Sequence, residues 1–178
     1  MDETTKVTDK QGLDRILTRI SHEILEKNRG SDNIVLMGMR TRGEFLAKRI
    51  RSIIKRIDNK ELPLGILDVT LYRDDFRTSL KQPEVSVSDI SFDINEKDVI
   101  LIDDVLYTGR TVRSALNALM DYGRPSSIQL CILIDRGHRE LPIRADYVGK
   151  NIPTSQHQEI KVKMEEIDGE DAIYIIEV

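Results

Sequence analysis

The feature that most constrains the fold of this chain is a run near its middle, VILIDDVLYTGRT at residues 99–111. Its four aliphatic residues predict a buried strand over 99–102, and two acidic residues follow where open α/β sheets bind their ligands. A short turn containing a glycine then leads into a helix predicted over 109–122. The run therefore predicts an α/β unit with two carboxylates beside the start of a helix.

The residue types in this run point to a sugar phosphate. Backbone N–H groups of residues 107–111, with the hydroxyls of Thr108 and Thr111, can surround a phosphate at the helix N-terminus. Gly109 allows a close approach of the backbone. Asp103 and Asp104 can accept hydrogen bonds from neighbouring sugar hydroxyls or hold a hydrated Mg²⁺. The run thus predicts a phosphate and a ribose bound side by side.

Parts of the run also have a simpler interpretation. An Asp-Asp pair fits an acidic strand end equally well, with Thr108 as an ordinary helix N-cap. The run is not a Walker A loop, because Gly-Lys followed by Ser or Thr is missing, and it is not a Gly-x-Gly-x-x-Gly dinucleotide turn. Only the complete pattern of aliphatic residues, acidic pair and Thr-Gly-Arg-Thr is specific.

The rest of the chain alternates between helical and strand periodicity. This order favours a central, mostly parallel twisted sheet flanked by helices on both faces, and 178 residues favour one domain. A long polar stretch over 72–89 is predicted to be a loop. The predicted helices cover 11–28, 43–57 and 109–122; the predicted strands cover 33–39, 64–71, 99–102 and 128–134, with shorter ones around 145–148, 160–166 and 172–176.

Composition excludes several classes of protein. With 27 basic and 31 acidic residues, the net charge of −4 argues against a uniformly basic nucleic-acid binder. One cysteine and three histidines leave no cluster with zinc spacing, and Cys131 lies in an apolar run where a buried thiol is expected. No apolar run approaches the ~20 residues of a membrane span. We therefore expect a cytoplasmic protein with no membrane partner.

The run at 99–111 resembles the phosphoribosyl pyrophosphate (PRPP) signature of the type I phosphoribosyltransferases. Further segments are similar to the family of bifunctional pyrimidine operon attenuators and uracil phosphoribosyltransferases, usually called PyrR. The resemblance covers nearly the whole chain and is weakest over the first ten and last fifteen residues. The segments that carry it are LYRDD at 71–75, DDVLYTGRTVR at 103–113, GRPSSI at 123–128 and DRGHRELPIRADY at 135–147.

This resemblance implies a type I phosphoribosyltransferase fold in a single domain, residues 1–178. It also implies a small hood subdomain at about 136–155 that recognises the base, and a flexible loop at about 72–89 that closes over PRPP. Family members are homodimers or higher homo-oligomers. A merely irregular excursion remains an alternative for the loop.

The resemblance further implies an enzyme that converts uracil and PRPP to UMP and pyrophosphate with Mg²⁺. Asp103 and Asp104 would be the catalytic residues and would hold the metal through water or ribose hydroxyls. Tyr107 replaces an Asp of the hypoxanthine-type enzymes, which argues against purine substrates. Without the resemblance to the family, Arg40 and Arg42 would be interpreted as solvent-exposed surface residues. The implied PRPP- or nucleotide-binding residues are Val105, Leu106, Tyr107, Thr108, Gly109, Arg110, Thr111, Arg40, Thr41, Arg42, Arg73, Arg77 and Arg136.

The resemblance implies a second role in RNA binding. Members of the family bind a hairpin in the leader of pyrimidine operon transcripts and favour termination, with UMP or UTP as effector. On the first predicted helix, Arg15, Arg19 and His22 lie within about 60° of one another, opposite the apolar stripe, where core packing does not need them. The implied RNA-binding residues are Arg15, Thr18, Arg19, His22, Lys27, His138, Arg139, Arg144 and Lys150.

Two alternatives remain open for these basic residues. A basic helix face is ordinarily solvated surface, and this one could also be an interface between subunits. The chain would then be a plain pyrimidine-salvage phosphoribosyltransferase with no role in RNA binding.

Overall fold

The structure, a computed structural model, describes residues 4–69 and 88–178. Two sheets and four helices make up this part of the chain. In chain order the elements are β1 Thr4–Thr8, α1 Lys10–Lys27, β2 Ile34–Met39, α2 Arg42–Asp58, β3 Leu64–Leu67, β4 Asp98–Leu106, α3 Arg110–Met120, β5 Ser127–Asp135, β6 Tyr147–Asn151, β7 Gln158–Lys163, α4 Glu165–Asp168 and β8 Ala172–Glu177.

The central sheet has five parallel strands in the order β3-β2-β4-β5-β6. One apolar cluster packs α1 and α2 on one face of it, and a second cluster packs α3 on the other. The predicted parallel sheet with helices on both faces is therefore confirmed. No helix in the described ranges is both long enough and apolar enough to cross a membrane.

A smaller antiparallel sheet, in the order β1-β8-β7, joins the two ends of the described chain. The sequence predicted neither this sheet nor β1. The reason is that β1 is a polar, largely exposed edge strand with no apolar alternation. Val162 and Ile173 of the small sheet belong to the same cluster as the inner faces of α1 and α2, so both sheets share a core. The predicted hood at 136–155 overlaps β6, and its bounds stay a prediction.

Element bounds differ from the predictions at several elements, and the strand predicted over 64–71 ends already at Leu67. The strand predicted over 99–102 continues to Leu106, so the acidic pair lies within β4. The strand predicted over 160–166 ends at Lys163, because the chain turns into α4 after the buried Met164. Of the predicted loop at 72–89, only the last two residues are described, and Asp89 exchanges two backbone hydrogen bonds with Ile66 (2.8 and 2.9 Å). The rest of that loop, including Arg73 and Arg77, lies outside the described residues.

An arginine ties α2 to the small sheet. The guanidinium of Arg49 donates to both oxygens of Asp171 (3.0 and 2.8 Å) and to Glu166 (2.9 and 2.6 Å). The Asp171 side chain is only 2% exposed. Burial raises the pKa of Asp171, but the hydrogen bonds from Arg49 and from the N–H of Glu165, together with the positive charges of Arg49 and Lys10, outweigh it and hold the pKa below its ordinary value. The pair is therefore charged in the folded state at neutral pH.

We expect Arg49→Gln to lower the free energy of unfolding by about 3–5 kcal/mol at pH 7, because it leaves a buried carboxylate without its partner. The pKa of Asp171 is lower in the folded protein than in the unfolded protein, so the ion pair stabilises the fold fully at pH values above the unfolded pKa. This stabilisation is lost as the pH falls through the pKa of the folded protein. Urea unfolding from pH 7 into the acid range should show the two proteins converging. Arg51→Gln is the control, because Arg51 only approaches Glu61 at 4.0 Å. A difference in the free energy of unfolding between the wild type and Arg49→Gln that stays constant with pH would contradict the expectation.

Candidate active site

A cleft of about 640 Å³ opens at the carboxyl ends of the central strands. The structure brings together here three segments that are distant in the chain: the turn between β2 and α2, the end of β4 with the start of α3, and the residue after β5. The lining residues are Arg40, Thr41, Arg42, Val69, Asp103, Asp104, Val105, Leu106, Tyr107, Thr108, Gly109, Arg110, Thr111, Val112, Arg136, Glu140 and Ile160. Every described residue predicted to bind PRPP or the metal is among them, although their contacts with a ligand remain predictions.

The 107–111 turn presents the N-terminus of α3 to this cleft. Gly109 is the N-cap residue, with a φ of 93° that favours glycine and no side chain to cap the helix. Thr108, the alternative N-cap, lies one residue earlier, and its hydroxyl accepts from the N–H of Arg110, the first residue of α3 (3.3 Å). The carbonyl of Thr108 also accepts from the N–H groups of Glu140 (2.9 Å) and Leu141 (3.1 Å), so the segment after β5 holds the turn in place.

The acidic pair lies on the cleft wall, half-buried, at the end of β4. One oxygen of Asp103 accepts from the N–H of Asp104 (2.9 Å), and one oxygen of Asp104 accepts from the N–H of Val105 (3.0 Å). Among the described residues, no group of three or more His, Cys, Asp and Glu side chains could hold a metal ion. Carboxylate oxygens suit Mg²⁺, so the pair fits an ion whose remaining ligands come from substrate or water.

The turn between β2 and α2 carries two arginines in different settings. The Arg40 side chain is 40% exposed, and its guanidinium lies 3.5 Å from the buried carboxylate of Asp68. Arg42 is held by the small sheet and α4, since its Nε donates to the carbonyl of Val162 (2.7 Å) and its Nη2 lies 3.3 Å from Asp168. The peptide bond between Arg40 and Thr41 is cis. Both residues line the cleft, but the Arg40 side chain is the more exposed, at 40% against 30% for Arg42.

Close packing of α2 against β4 sets the distance between this turn and the acidic pair. A Cβ added to Gly43 would lie 2.4 Å from the carbonyl oxygen of Ile102 and 3.3 Å from the Cα of Asp103. Only glycine allows this approach without moving the backbone.

We expect Gly43→Ala to push α2 away from β4, which lowers the free energy of unfolding by about 1–3 kcal/mol and lowers kcat/KM for PRPP. Thermal unfolding and steady-state kinetics measure the two effects. Gly12→Ala is the matched control, because its added Cβ would meet a side-chain methyl group of Thr8 at 2.8 Å rather than the backbone of a central strand. An unchanged kcat/KM in Gly43→Ala would show that this spacing does not matter for activity.

Four cleft residues were missed from the sequence: Val69, Val112, Glu140 and Ile160. Val112 adjoins the predicted turn, and Glu140 lies in a segment already singled out, where it pairs with Arg110 at 2.6 Å. Ile160 comes from β7, and its position in the sequence carries no signal of a role in the cleft. Only the docking of the small sheet brings it there.

Comparisons with known proteins agree with this geometry. Residues 3–167 match the family model for the phosphoribosyl transferase domain. The chain is 57% identical over 175 residues to "Bifunctional protein PyrR" of Pelotomaculum thermopropionicum, covering 98% of this chain and 97% of the relative. It is 59% identical over 177 residues to the protein of the same name from Bacillus mycoides, covering 98% of each. This chain belongs to the PyrR family of phosphoribosyltransferases.

Solved structures show the same fold at much lower sequence identity. The hypoxanthine phosphoribosyltransferase of Trypanosoma cruzi superimposes with a TM-score of 0.74 at 15% identity, covering 97% of this chain and 96% of that one. A Staphylococcus aureus hypoxanthine phosphoribosyltransferase gives 0.71 at 20% identity, covering 95% and 90%. The predicted phosphoribosyltransferase fold and the resemblance to PyrR are both confirmed.

In this PyrR chain, the basic residues predicted to bind RNA lie partly on one face formed by α1 and β6. Arg15 of α1 and Lys150 of β6 line the same surface depression of about 350 Å³, together with Lys6. At the other end of the face, Lys27 forms an ion pair with Asp146 at 2.7 Å. Two groups that are more than a hundred residues apart in sequence therefore form one surface, which we call the α1–β6 face.

Other predicted RNA-binding residues have structural contacts. The guanidinium of Arg19 donates to the carbonyls of Gly149 (2.5 Å) and Val148 (3.3 Å), so it holds the edge strand β6 against α1. Arg19 lies outside the core, with its side chain 46% exposed, but these hydrogen bonds give it a structural role that the sequence did not predict. Arg139 donates to the carbonyl of Tyr107 (2.7 Å) and two further acceptors near the cleft. Contacts of this kind are also made by Thr18, which donates to the carbonyl of Asp14 (2.8 Å), and by His138, whose Nε2 lies 2.5 Å from the carbonyl of Thr154.

Three of the predicted residues, Arg15, His22 and Arg144, are exposed, and within the described ranges no hydrogen bond or ion pair engages their side chains. They are free to contact an external partner. The α1–β6 face therefore has accessible cations at Arg15 and Lys150. Arg19 instead connects the two elements of this face through its hydrogen bonds to β6.

Proposed function

We propose that the protein transfers the phosphoribosyl group of PRPP to uracil, giving UMP and pyrophosphate, and that it also binds RNA as an attenuator of pyrimidine operon transcription. The observation that carries the enzymatic half is that an acidic pair, a helix N-terminus and an arginine-containing turn line one cleft. These are the groups that a ribose, its 5′-phosphate and a pyrophosphate require.

In the proposed reaction, N–H groups of the 107–111 turn bind the 5′-phosphate at the N-terminus of α3, where the helix dipole favours an anion. Asp103 and Asp104 accept hydrogen bonds from the ribose hydroxyls and stabilise positive charge that develops at C1 as pyrophosphate leaves. Arg40 stabilises the departing pyrophosphate, and uracil N1, which has given up its proton, attacks C1 from the opposite face. The protein contributes mainly orientation and electrostatic stabilisation.

Mg²⁺ is the proposed cofactor, held by Asp103 and Asp104 through water or ribose hydroxyls, and it would supply charge neutralisation at the pyrophosphate. The proposed loop at 72–89, with Arg73 and Arg77, would exclude water from the cleft. We further propose a single cytoplasmic domain with a hood at about 136–155, assembled as a homodimer or higher homo-oligomer.

The enzymatic proposal is tested by following UMP and pyrophosphate formation from uracil and PRPP with Mg²⁺, with hypoxanthine as the competing base. We expect turnover with uracil and little with hypoxanthine, because Tyr107 occupies a position where a purine enzyme has a carboxylate. No UMP formation, or a preference for hypoxanthine, would exclude the proposed activity.

The RNA half is supported by the name that relatives of 57–59% identity carry, which is that of a bifunctional protein, and by the α1–β6 face. Arg15 and Lys150 offer phosphate contacts on a protein whose net charge is negative. If UMP or UTP in the cleft strengthens RNA binding, RNA must strengthen nucleotide binding by the same factor.

Gel-shift titration of a pyrimidine-leader hairpin, with and without UMP, tests this half, and a purine-rich RNA of equal length is the control. We expect tighter hairpin binding with UMP. If the hairpin does not bind at low salt with UMP present, the alternative holds, and the protein is a pyrimidine-salvage phosphoribosyltransferase without an RNA role.

A further inference from the structure

Two aliphatic side chains lie beside Gly109, the glycine of the turn proposed to bind the 5′-phosphate. A Cβ added to Gly109 would lie 3.3 Å from Cδ1 of Ile143, 3.4 Å from its Cβ and 3.4 Å from the Cβ of Leu141. These separations are those of van der Waals contact or slightly closer. The space that a side chain at position 109 would need is therefore already filled by residues of the segment after β5.

Ile143 adjoins the turn from outside the cleft. Its side chain is half-buried, and it is not among the described residues that line the cleft. It packs instead against the apolar cluster between α3 and the central sheet, which includes Val112 in the first turn of α3. In this position Ile143 can influence a ligand in the cleft only through the residues that it supports.

Hydrogen bonds join the same segment to the backbone of the turn. The carbonyl of Thr108 accepts two N–H groups of the segment, and the carbonyl of Tyr107 accepts from Nη1 of Arg139 (2.7 Å). The Nε of Arg139 donates to the carbonyl of Ile143 (3.0 Å), and the N–H of Ile143 donates to the carbonyl of Leu141 (2.8 Å). Ile143 is therefore fixed at its own backbone as well as in the apolar cluster.

The hydrogen bonds that the turn accepts from this segment use its carbonyl groups. They consume none of the N–H groups of residues 107–111, which are the donors proposed for the phosphate. Donors that are already fixed in place bind an anion more tightly than donors that must be ordered on binding. A hydrophobic contact behind Gly109 can supply such order without competing for the phosphate.

We propose that Ile143 is a positioning residue for the 5′-phosphate of PRPP, and that it acts by holding Gly109 and the 107–111 turn in the conformation that binds the phosphate. This inference rests on the proposed function of the cleft. Its consequence is selective: the affinity for PRPP depends on Ile143, whereas the affinity for uracil, which carries no phosphate, does not.

Steady-state kinetics of UMP formation by Ile143→Ala test the proposal. We expect the KM for PRPP to rise roughly 10-fold, which is less than the loss of about 100-fold that a misplacement of about 1 Å can cause. The kcat and the KM for uracil should stay within about twofold of the wild type, because saturating PRPP orders the turn again. Ile143→Val keeps the Cβ beside Gly109 and loses only Cδ1, so its KM for PRPP should rise less.

Ile128→Ala is the matched control. Ile128 is also a half-buried isoleucine packed against the same apolar cluster, but it lies near the start of β5, whereas the cleft lies beyond the other end of that strand. Both alanine variants lose the same atoms from the same cluster, so their melting temperatures should fall to a similar extent. Only Ile143→Ala should raise the KM for PRPP.

An unchanged KM for PRPP in Ile143→Ala, or an equal rise in Ile128→Ala, would overturn the proposal. A lower kcat together with a rise in both KM values would indicate a general effect on the fold and would overturn it as well. If Ile143→Ala folds poorly, Ile143→Val provides the same comparison against Ile128→Val. A wild-type protein that forms no UMP would instead exclude the proposed function, and the inference with it.

Discussion

Replacing Asp104 by Asn is expected to lower kcat for UMP formation by about 100-fold or more, the usual cost of removing one preorganised electrostatic group. The amide oxygen of Asn can still accept the hydrogen bond that Asp104 accepts from the N–H of Val105 at 3.0 Å. The change therefore removes the negative charge from the cleft wall while it preserves the local backbone. What is lost is stabilisation of the positive charge that develops on the ribose.

Initial rates of UMP formation with saturating uracil, PRPP and Mg²⁺ measure this effect. Asp14→Asn is the control, because Asp14 is an exposed carboxylate on α1, far along the chain from the cleft-lining segments. We expect hairpin binding by Asp104→Asn to change little when no nucleotide is present. A kcat within tenfold of the wild type would show that the acidic pair does not stabilise the transition state.

Reversing the charge of a residue on the α1–β6 face should weaken RNA binding and leave UMP formation nearly unchanged, which is the opposite of the effect expected for Asp104→Asn. We expect the Lys150→Glu and Arg15→Glu variants to bind the leader hairpin roughly 10- to 100-fold more weakly at low salt, because a lost phosphate contact is replaced by repulsion. Each should also reduce the slope of log affinity against log salt by about one. Their rates of UMP formation should stay close to the wild type, because neither residue lines the cleft.

Gel shifts over a range of salt concentrations measure the affinity and the slope, and Arg124→Glu is the charge-matched control on the other side of the sheet. Arg19→Glu is a poor probe, because it would also break the hydrogen bonds from Arg19 to β6 and separate α1 from that strand. Unchanged hairpin affinity in both face variants would place any RNA contact elsewhere.

Much of the cleft was predictable because local sequence and sheet geometry act together there. The 99–111 run combines a buried strand, an acidic pair and a glycine turn, and parallel strands bring their carboxyl ends to one edge. That reasoning placed Asp103 and the 107–111 turn in one site, and the resemblance to the family added Arg40; the structure brings all of them together. The small sheet was not predictable, since β1 is polar and its pairing with β8 joins opposite ends of the chain.

The sequence by itself determined the alternation of strands and helices, the parallel central sheet and the chemistry of the acidic pair with its glycine turn. These depend on periodicity and on residues that are neighbours in the chain. Only the tertiary structure decided the functions of the arginines. Arg19 links α1 to β6 through hydrogen bonds. The buried Arg136 stacks on the ring of Tyr107, and Arg15 lies beside Lys150. The physical reason is that an arginine has similar local preferences in each of these roles, so its role depends on which carbonyl, ring or solvent the fold places beside it.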